Sequence, residues 1–119
     1  MGYRSDIAIA VHKSIIARDL IDPIIPEVLK EEPFQDIGEA RHWLLCGWKF
    51  YDSYQEVQDI QNFFDALDEE SIQEPNSTYQ YAVYGALRIG EDDDDVQSWG
   101  DPQEYQIYLN RSISSPFVG

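Results

Sequence analysis

Apolar positions change period several times along the chain, and each change predicts a change of element. Residues 5–11, SDIAIAV, are short, apolar and partly β-branched, the pattern of a buried strand. From Ser14 onward, Ile15, Ile16 and Leu20 return at helical spacing and predict a helix over 14–20. Pro23, Pro26 and Pro33 then interrupt the chain. Proline suits the first turn of a helix and breaks its interior, so this segment holds only a short helix opening at Pro26. A second brief helical turn is expected over 36–41.

Residues 41–51, RHWLLCGWKFY, are too continuously apolar and aromatic for an exposed strand and predict a central one. Ser53 followed by Glu56 makes a capping box, in which hydroxyl and carboxylate each satisfy a free backbone N–H. A helix over 54–68 follows, with Val57, Ile60, Phe63, Phe64 and Leu67 on one face and Glu56, Asp59, Asp65 and Asp68 on the others. Residues 71–78, with Pro75 and Asn76, have the composition of a loop. Residues 78–89 alternate, placing Tyr79, Tyr81, Val83, Leu87 and Ile89 inward and Gln80, Tyr84 and Arg88 outward. Residues 104–113 repeat the pattern with Tyr105, Ile107, Leu109 and Ile113 inward. The resulting order, β-α-β-α-β-β, predicts one α+β two-layer domain over 1–119. Its sheet has four mainly antiparallel strands, the last two paired across a long acidic loop.

Composition supports a packed core. The 119 residues are 43% hydrophobic and 13% aromatic, unlike a disordered acidic chain. There is no apolar run of about 18 residues to span a bilayer, and MGYRSDIAIA lacks the apolar core of a secretory leader, so a cytoplasmic setting is expected. The one cysteine, Cys46, allows no internal disulfide and fits a reducing compartment.

Charge changes the picture most. The formal net charge is −15, and it is unevenly placed. Residues 1–51 carry 8 acids and 6 bases, whereas residues 52–119 carry 15 acids and 2 bases. The later half thus has a net charge of −13. Such a surface argues against direct binding of nucleic acid, anionic membranes or acidic substrates, and for a basic partner.

Catalytic chemistry has little support in the sequence. His42 lies four residues before Cys46 on the same strand, roughly 13 Å away, too far for a thiolate–imidazole pair, and Cys46 is expected to be structural. Counted from Asp93, the residues Asp95, Gln97, Asp101 and Glu104 echo a calcium-loop spacing, but Ser98 stands where that loop requires glycine and strands flank it where helices are required. No enzyme activity, cofactor or metal centre is expected.

The remaining candidate is the acidic surface itself. Glu91, Asp92, Asp93, Asp94 and Asp95 form an unbroken run, which by itself fits a solvated turn that guards a sheet edge. Glu56, Asp59, Asp68, Glu69 and Glu70 extend the charge along the helix, and Asp101 and Glu104 continue it beyond the run. Duplex DNA presents one charge per about 1.7 Å of axis, an array that carboxylates on a rigid scaffold can imitate. Trp99, with Tyr54 or Tyr108, is a candidate aromatic anchor beside the charges.

The segments MGYRSD, YDSYQEVQDIQNFFDALDEE, RIGEDDDD and IYLNRSIS together resemble small acidic proteins encoded by tailed bacteriophages. The resemblance covers both ends and the middle of the chain, leaves residues 14–39 unmatched, and implies a phage accessory protein in the bacterial host cytoplasm. It carries over no catalytic residue. Two functions are expected from charge and resemblance together. One is an inhibitor of anti-CRISPR or other anti-defence type that occupies the basic groove of a host DNA-binding protein or CRISPR effector complex. The other is a non-enzymatic phage accessory or assembly protein whose acidity serves solubility and which binds through an aromatic sheet. The sequence leaves the oligomeric state open.

Overall fold

The computed structural model describes residues 4–19, 23–49, 54–73, 80–91, 95–110 and 112–114. Its architecture is α+β, built on a mainly antiparallel sheet. Strand β1 (Ser5–His12) lies at the centre. Helices α1 (Lys13–Arg18) and α2 (Glu27–Lys30) follow, then β2 (Gln35–Ile37), β3 (Ala40–Trp48), α3 (Gln55–Asp68), β4 (Ser71–Gln73), β5 (Gln80–Ala82), β6 (Tyr84–Ile89) and β7 (Val96–Gly100). A 3₁₀ turn (Pro102–Tyr105) and strands β8 (Tyr108–Asn110) and β9 (Ser112–Ser114) complete the described chain.

The main sheet has five strands in the order β2-β3-β1-β6-β7, all antiparallel, rather than the expected four. Two small sheets, β4-β5 and β8-β9, stand beside it. The registers explain why β1 is central. Ile7, Ile9 and Val11 lie opposite Leu45, Trp43 and Arg41 on one side and opposite Arg88, Ala86 and Tyr84 on the other. These residues share the face covered by α3, whose Ile60, Phe63, Phe64 and Leu67 are buried against it. Ile15 of α1 and Leu29 of α2 join the same core, and the Trp43 indole N–H donates to the Leu29 carbonyl at 3.0 Å.

The opposite face is lined by small side chains, Ala8, Ala10 and Ala40, so the segment after β7 can settle on it with Tyr105 and Ile107 buried. Gly85 is required there, because a Cβ would come within 2.6 Å of the Asp101 carbonyl oxygen. Both faces of β6 are therefore covered. That overturns the expected outward placement of Tyr84 and Arg88, which are buried on the α3 face.

Five further expectations are corrected. The brief helical turn over 36–41 is a hairpin: Gly38, at φ +60°, turns the chain from β2 into β3, and Arg41 pairs with Asp36 directly opposite. The aromatic strand starting at residue 41 is β3, second in the sheet, because β2 covers its outer edge. The strand expected over 78–89 breaks at Val83: β5 pairs with β4, within the expected loop, and β6 enters the main sheet. Residues 74–79 lie outside the described part. The acidic run does join two antiparallel strands, but the second is β7; the stretch over 104–113 divides into the 3₁₀ turn and the β8–β9 hairpin. The N-cap of α3 is Tyr54, with no side-chain cap bond, one position later than the capping box places it; Ser53 lies outside the described residues. Among the described residues no helix is long and apolar enough to cross a membrane.

Candidate functional site

The acidic run is the connection between β6 and β7, and its two ends are tied down. Arg88, 7% exposed near the end of β6, donates from Nη2 to Asp95 Oδ1 at 2.5 Å and from Nη1 to Asp95 Oδ2 at 3.3 Å. The same guanidinium donates from Nε to Gln97 Oε1 at 2.7 Å and from Nη1 to Ser5 Oγ at 2.6 Å. A buried guanidinium needs such a partner set, since an unpaired charge at that depth is strongly unfavourable. The Gly90 N–H donates to the Asp95 carbonyl at 2.7 Å, and the Arg4 N–H donates to Glu91 Oε1 at 3.0 Å. Asp92, Asp93 and Asp94 lie outside the described residues.

Helix α3 lies alongside this hairpin. Phe64 and Trp99 of β7 meet with ring centroids 5.1 Å apart, and Phe64 stacks on Tyr84 at 5.2 Å. Burying one stripe of α3 in this way leaves Glu56, Asp59, Asp65, Asp68 and Glu69 exposed. Gln55 Nε2 donates to Asp59 Oδ1 at 2.7 Å. Tyr84 donates its hydroxyl proton to Asp68 Oδ1 at 2.5 Å, and burial together with this bond pushes the phenol's pKa well up. Glu70 is the acceptor of Arg18 Nη1, in an ion pair between α1 and the start of β4.

The last turn of α3 has no basic residue, yet it contains Asp65 and Asp68 and is followed by Glu69 and Glu70. A helix C-terminus carries partial negative charge, so carboxylates there oppose the dipole. Asp101 and Glu104 lie past the other end of β7, at and within the 3₁₀ turn. The five residues of β7, about 16 Å of strand, lie between Asp95 and Asp101. The structure thus places the carboxylates of α3 along the outer border formed by edge strand β7 and α3, with Glu91 and Asp95 at one end and Asp101 at the other; Glu104 belongs to the 3₁₀ turn that packs on the opposite face of the sheet.

Trp99 does not fit the expected part of an exposed anchor. It shares the face of Arg88 and Tyr84 and is half-buried beneath α3. Tyr54 and Tyr108 are exposed, at 42% and 49%, as is Phe34 at 46%, which the sequence did not single out. Phe34 receives the Arg41 guanidinium 3.8 Å above its ring centroid.

Cys46 is exposed rather than buried as a structural cysteine. Partial desolvation of its sulfur and the charge of Asp6 both push its pKa up, which disfavours the thiolate. His42 is 3% exposed, and burial lowers its pKa and holds the ring neutral. The calcium-loop spacing from Asp93 falls across strand β7 and the 3₁₀ turn, and Asp95 is already engaged by Arg88. No family model, curated protein or solved structure matches this chain.

Proposed function

We propose that this protein is an acidic inhibitor that occupies the basic groove of a host nucleic-acid-binding complex, of anti-CRISPR or other anti-defence type, within a phage-infected bacterial cytoplasm. The observation that carries this reading is the acidic C-terminal end of α3. Local stability favours basic residues there, and four carboxylates at residues 65 to 70 stand in their place. Asp68 and Glu70 have partners within the fold, so it is exposed Asp65 and Glu69, set against the helix dipole, that point to selection for something outside the fold. Charge along one border would speed association with a cationic groove, and exposed Tyr54 would supply apolar contact beside it. The phage setting rests on the resemblance of the sequence segments.

A second reading keeps one specific observation in its favour. Asp95, Asp68 and Glu70 each have a partner within the fold, so part of the acidity serves the domain itself. In that reading the remainder keeps an accessory or assembly protein soluble. Among the described residues both faces of the main sheet are covered, which leaves no open aromatic sheet for such a protein to bind with.

Capture of partners from host lysate at low and at high salt separates the two. The comparison protein carries Asp92→Asn, Asp93→Asn and Asp94→Asn with Asp65→Asn and Glu69→Gln. Mimicry predicts a DNA-binding complex that duplex DNA displaces, that high salt weakens and that the variant fails to retain. Equal retention by both proteins would overturn it.

A further inference from the structure

A cavity of about 290 Å³ opens at the end of β1 away from the acidic hairpin. Its wall combines His12 from the end of β1, Glu39 from the β2–β3 turn, His42 from β3, and Glu104, Tyr105 and Gln106 from the 3₁₀ segment. The two histidines share a sheet face. His12 lies opposite Ala40 and His42 opposite Ala10, so they are diagonal neighbours on adjacent strands, about 7–8 Å apart.

One feature of this wall is unsatisfied. His42 Nδ1 is buried and has no hydrogen-bond partner among the described residues. Buried polar atoms are nearly always paired, and leaving one unpaired is unfavourable. The neighbouring imidazole behaves differently: His12 Nδ1 accepts from the Ser14 N–H at 3.1 Å, which leaves its proton on Nε2. The rim is also strained. Gln106 has φ +63°, the only positive φ at a non-glycine among the described residues, and is held there as Ile107 N–H donates to the Pro102 carbonyl at 3.0 Å. Non-glycine residues in that region persist where surrounding structure imposes them, commonly beside ligand sites.

The chemistry of the wall selects the ligand. Glu39 and Glu104 contribute two carboxylates, and among the described residues no lysine or arginine lines the cavity. Tyr105 donates its hydroxyl proton to the Ala82 carbonyl at 2.8 Å, so its oxygen faces other groups as an acceptor. A cavity with two negative charges, acceptor oxygens and a neutral imidazole lacking a partner suits a compact cation rich in N–H donors. We infer that this cavity binds a small organic cation, a guanidinium or primary ammonium, that donates to His42 and is held by Glu39 and Glu104. The same chemistry is carried by a free amine and by an arginine side chain of a bound protein. The site lies apart from the acidic border and does not depend on the groove-binding reading.

Agmatine serves as the probe, read through the imidazole ¹⁵N resonances of His42 in the intact protein. The expected result is a saturable shift of His42 Nδ1 with a dissociation constant below about 1 mM. By isothermal titration calorimetry, which reads every variant, affinity should fall at least about tenfold in His42→Phe and in Glu39→Gln/Glu104→Gln, since each loses hydrogen bonds to the cation. Glu27→Gln/Glu31→Gln, which removes equal charge elsewhere, should bind as the unaltered protein does. A capped peptide with one central arginine distinguishes the sources: binding of agmatine alone assigns a free amine, binding of both assigns a protein side chain. A His42 resonance unmoved at about 10 mM of either probe would overturn the inference and leave a bound water as the partner of Nδ1. Equal weakening by Glu27→Gln/Glu31→Gln would also overturn it, by reducing binding to diffuse attraction.

Discussion

Asp95, the last residue of the acidic run, is held in a two-bond ion pair by Arg88, seven residues earlier on the facing strand. Arg88 is nearly inaccessible, while the Asp95 side chain is 32% exposed. The pair is therefore a partly buried one, in which loss of one partner matters more than its net contribution.

Asp95→Asn should accordingly destabilise the protein by about 1–3 kcal/mol, by leaving a buried guanidinium short of a counter-charge. Joint replacement of Asp92, Asp93 and Asp94 by asparagine should not destabilise it, since their mutual repulsion is relieved. Thermal melts of the two variants check this directly. A lower midpoint in the triple variant, or an unchanged one in Asp95→Asn, would contradict the assignment. The distinction matters for function, because neutralising all four aspartates together confounds lost mimicry with lost stability.

Tyr84 joins the sheet to the end of α3 through its bond to Asp68. Tyr84→Phe retains the stacking on Phe64 and removes only that bond, so a loss of about 1 kcal/mol is expected. The bond also sets a pH dependence. The folded-state pKa of Tyr84 is raised above its ordinary 10.0, chiefly by burial and then by the Asp68 carboxylate. Stability is then fully present below that ordinary value and declines as pH rises beyond it, because the unfolded phenol ionises first. Tyr105, raised by burial and nearby Tyr81, Glu104 and Asp101, adds to the same decline. Denaturant titrations above pH 10 should show a shallower fall in Tyr84→Phe; an identical slope would remove Tyr84 from this account.

The alternation of Ile7, Ile9 and Val11 with Ala8 and Ala10 was legible as a strand, and the stripe of α3 was legible as a helix. What the pattern did not contain was the second layer. Alternation assigns one inward face, whereas Tyr105 and Ile107 cover the other. Tyr84 and Arg88 were consequently misplaced, and with them the attachment of Asp95. The β2–β3 hairpin was missed because Gly38 and the Asp36–Arg41 pairing leave no apolar periodicity to detect. The acidic run itself was plain; which carboxylates face outward depends on partners far away in sequence. The His12–His42 cavity was not legible for the same reason, since its wall draws on β1, β3 and the 3₁₀ turn.

His42 gives a second pH window with the opposite sense. Its folded-state pKa is lowered by burial from an ordinary 6.5. Above that value neither state binds the proton and the residue contributes no pH dependence. As pH falls below 6.5, the unfolded chain takes up a proton that the folded chain refuses, and stability falls until the folded pKa is reached. The groups facing this ring, His12, Glu39, Glu104 and Tyr105, titrate or carry charge as well. The difference between the unaltered protein and His42→Phe isolates the contribution of the ring. That difference should grow between pH 7 and about pH 5 in chemical-denaturation midpoints. A difference independent of pH would mean that His42 is protonated within the fold.

The charge at the end of α3 couples stability to function in a way that one pair of measurements can resolve. At a net charge of −15, the folded domain repels itself, and salt screens that repulsion over about 10 Å at 0.1 M. Its thermal midpoint should therefore rise between low salt and about 0.5 M sodium chloride. Asp65 and Glu69 oppose the helix dipole, so Asp65→Asn/Glu69→Gln should stabilise the protein at low salt by up to about 1 kcal/mol, and by less at high salt. If these carboxylates exist to enter a basic groove, the same variant will be more stable and bind its partner more weakly. A variant that gains stability with undiminished binding would make the acidic end of α3 a bystander. One that loses both would place Asp65 or Glu69 in an internal role, and the argument for an outward-facing acidic border would then rest on the hairpin alone.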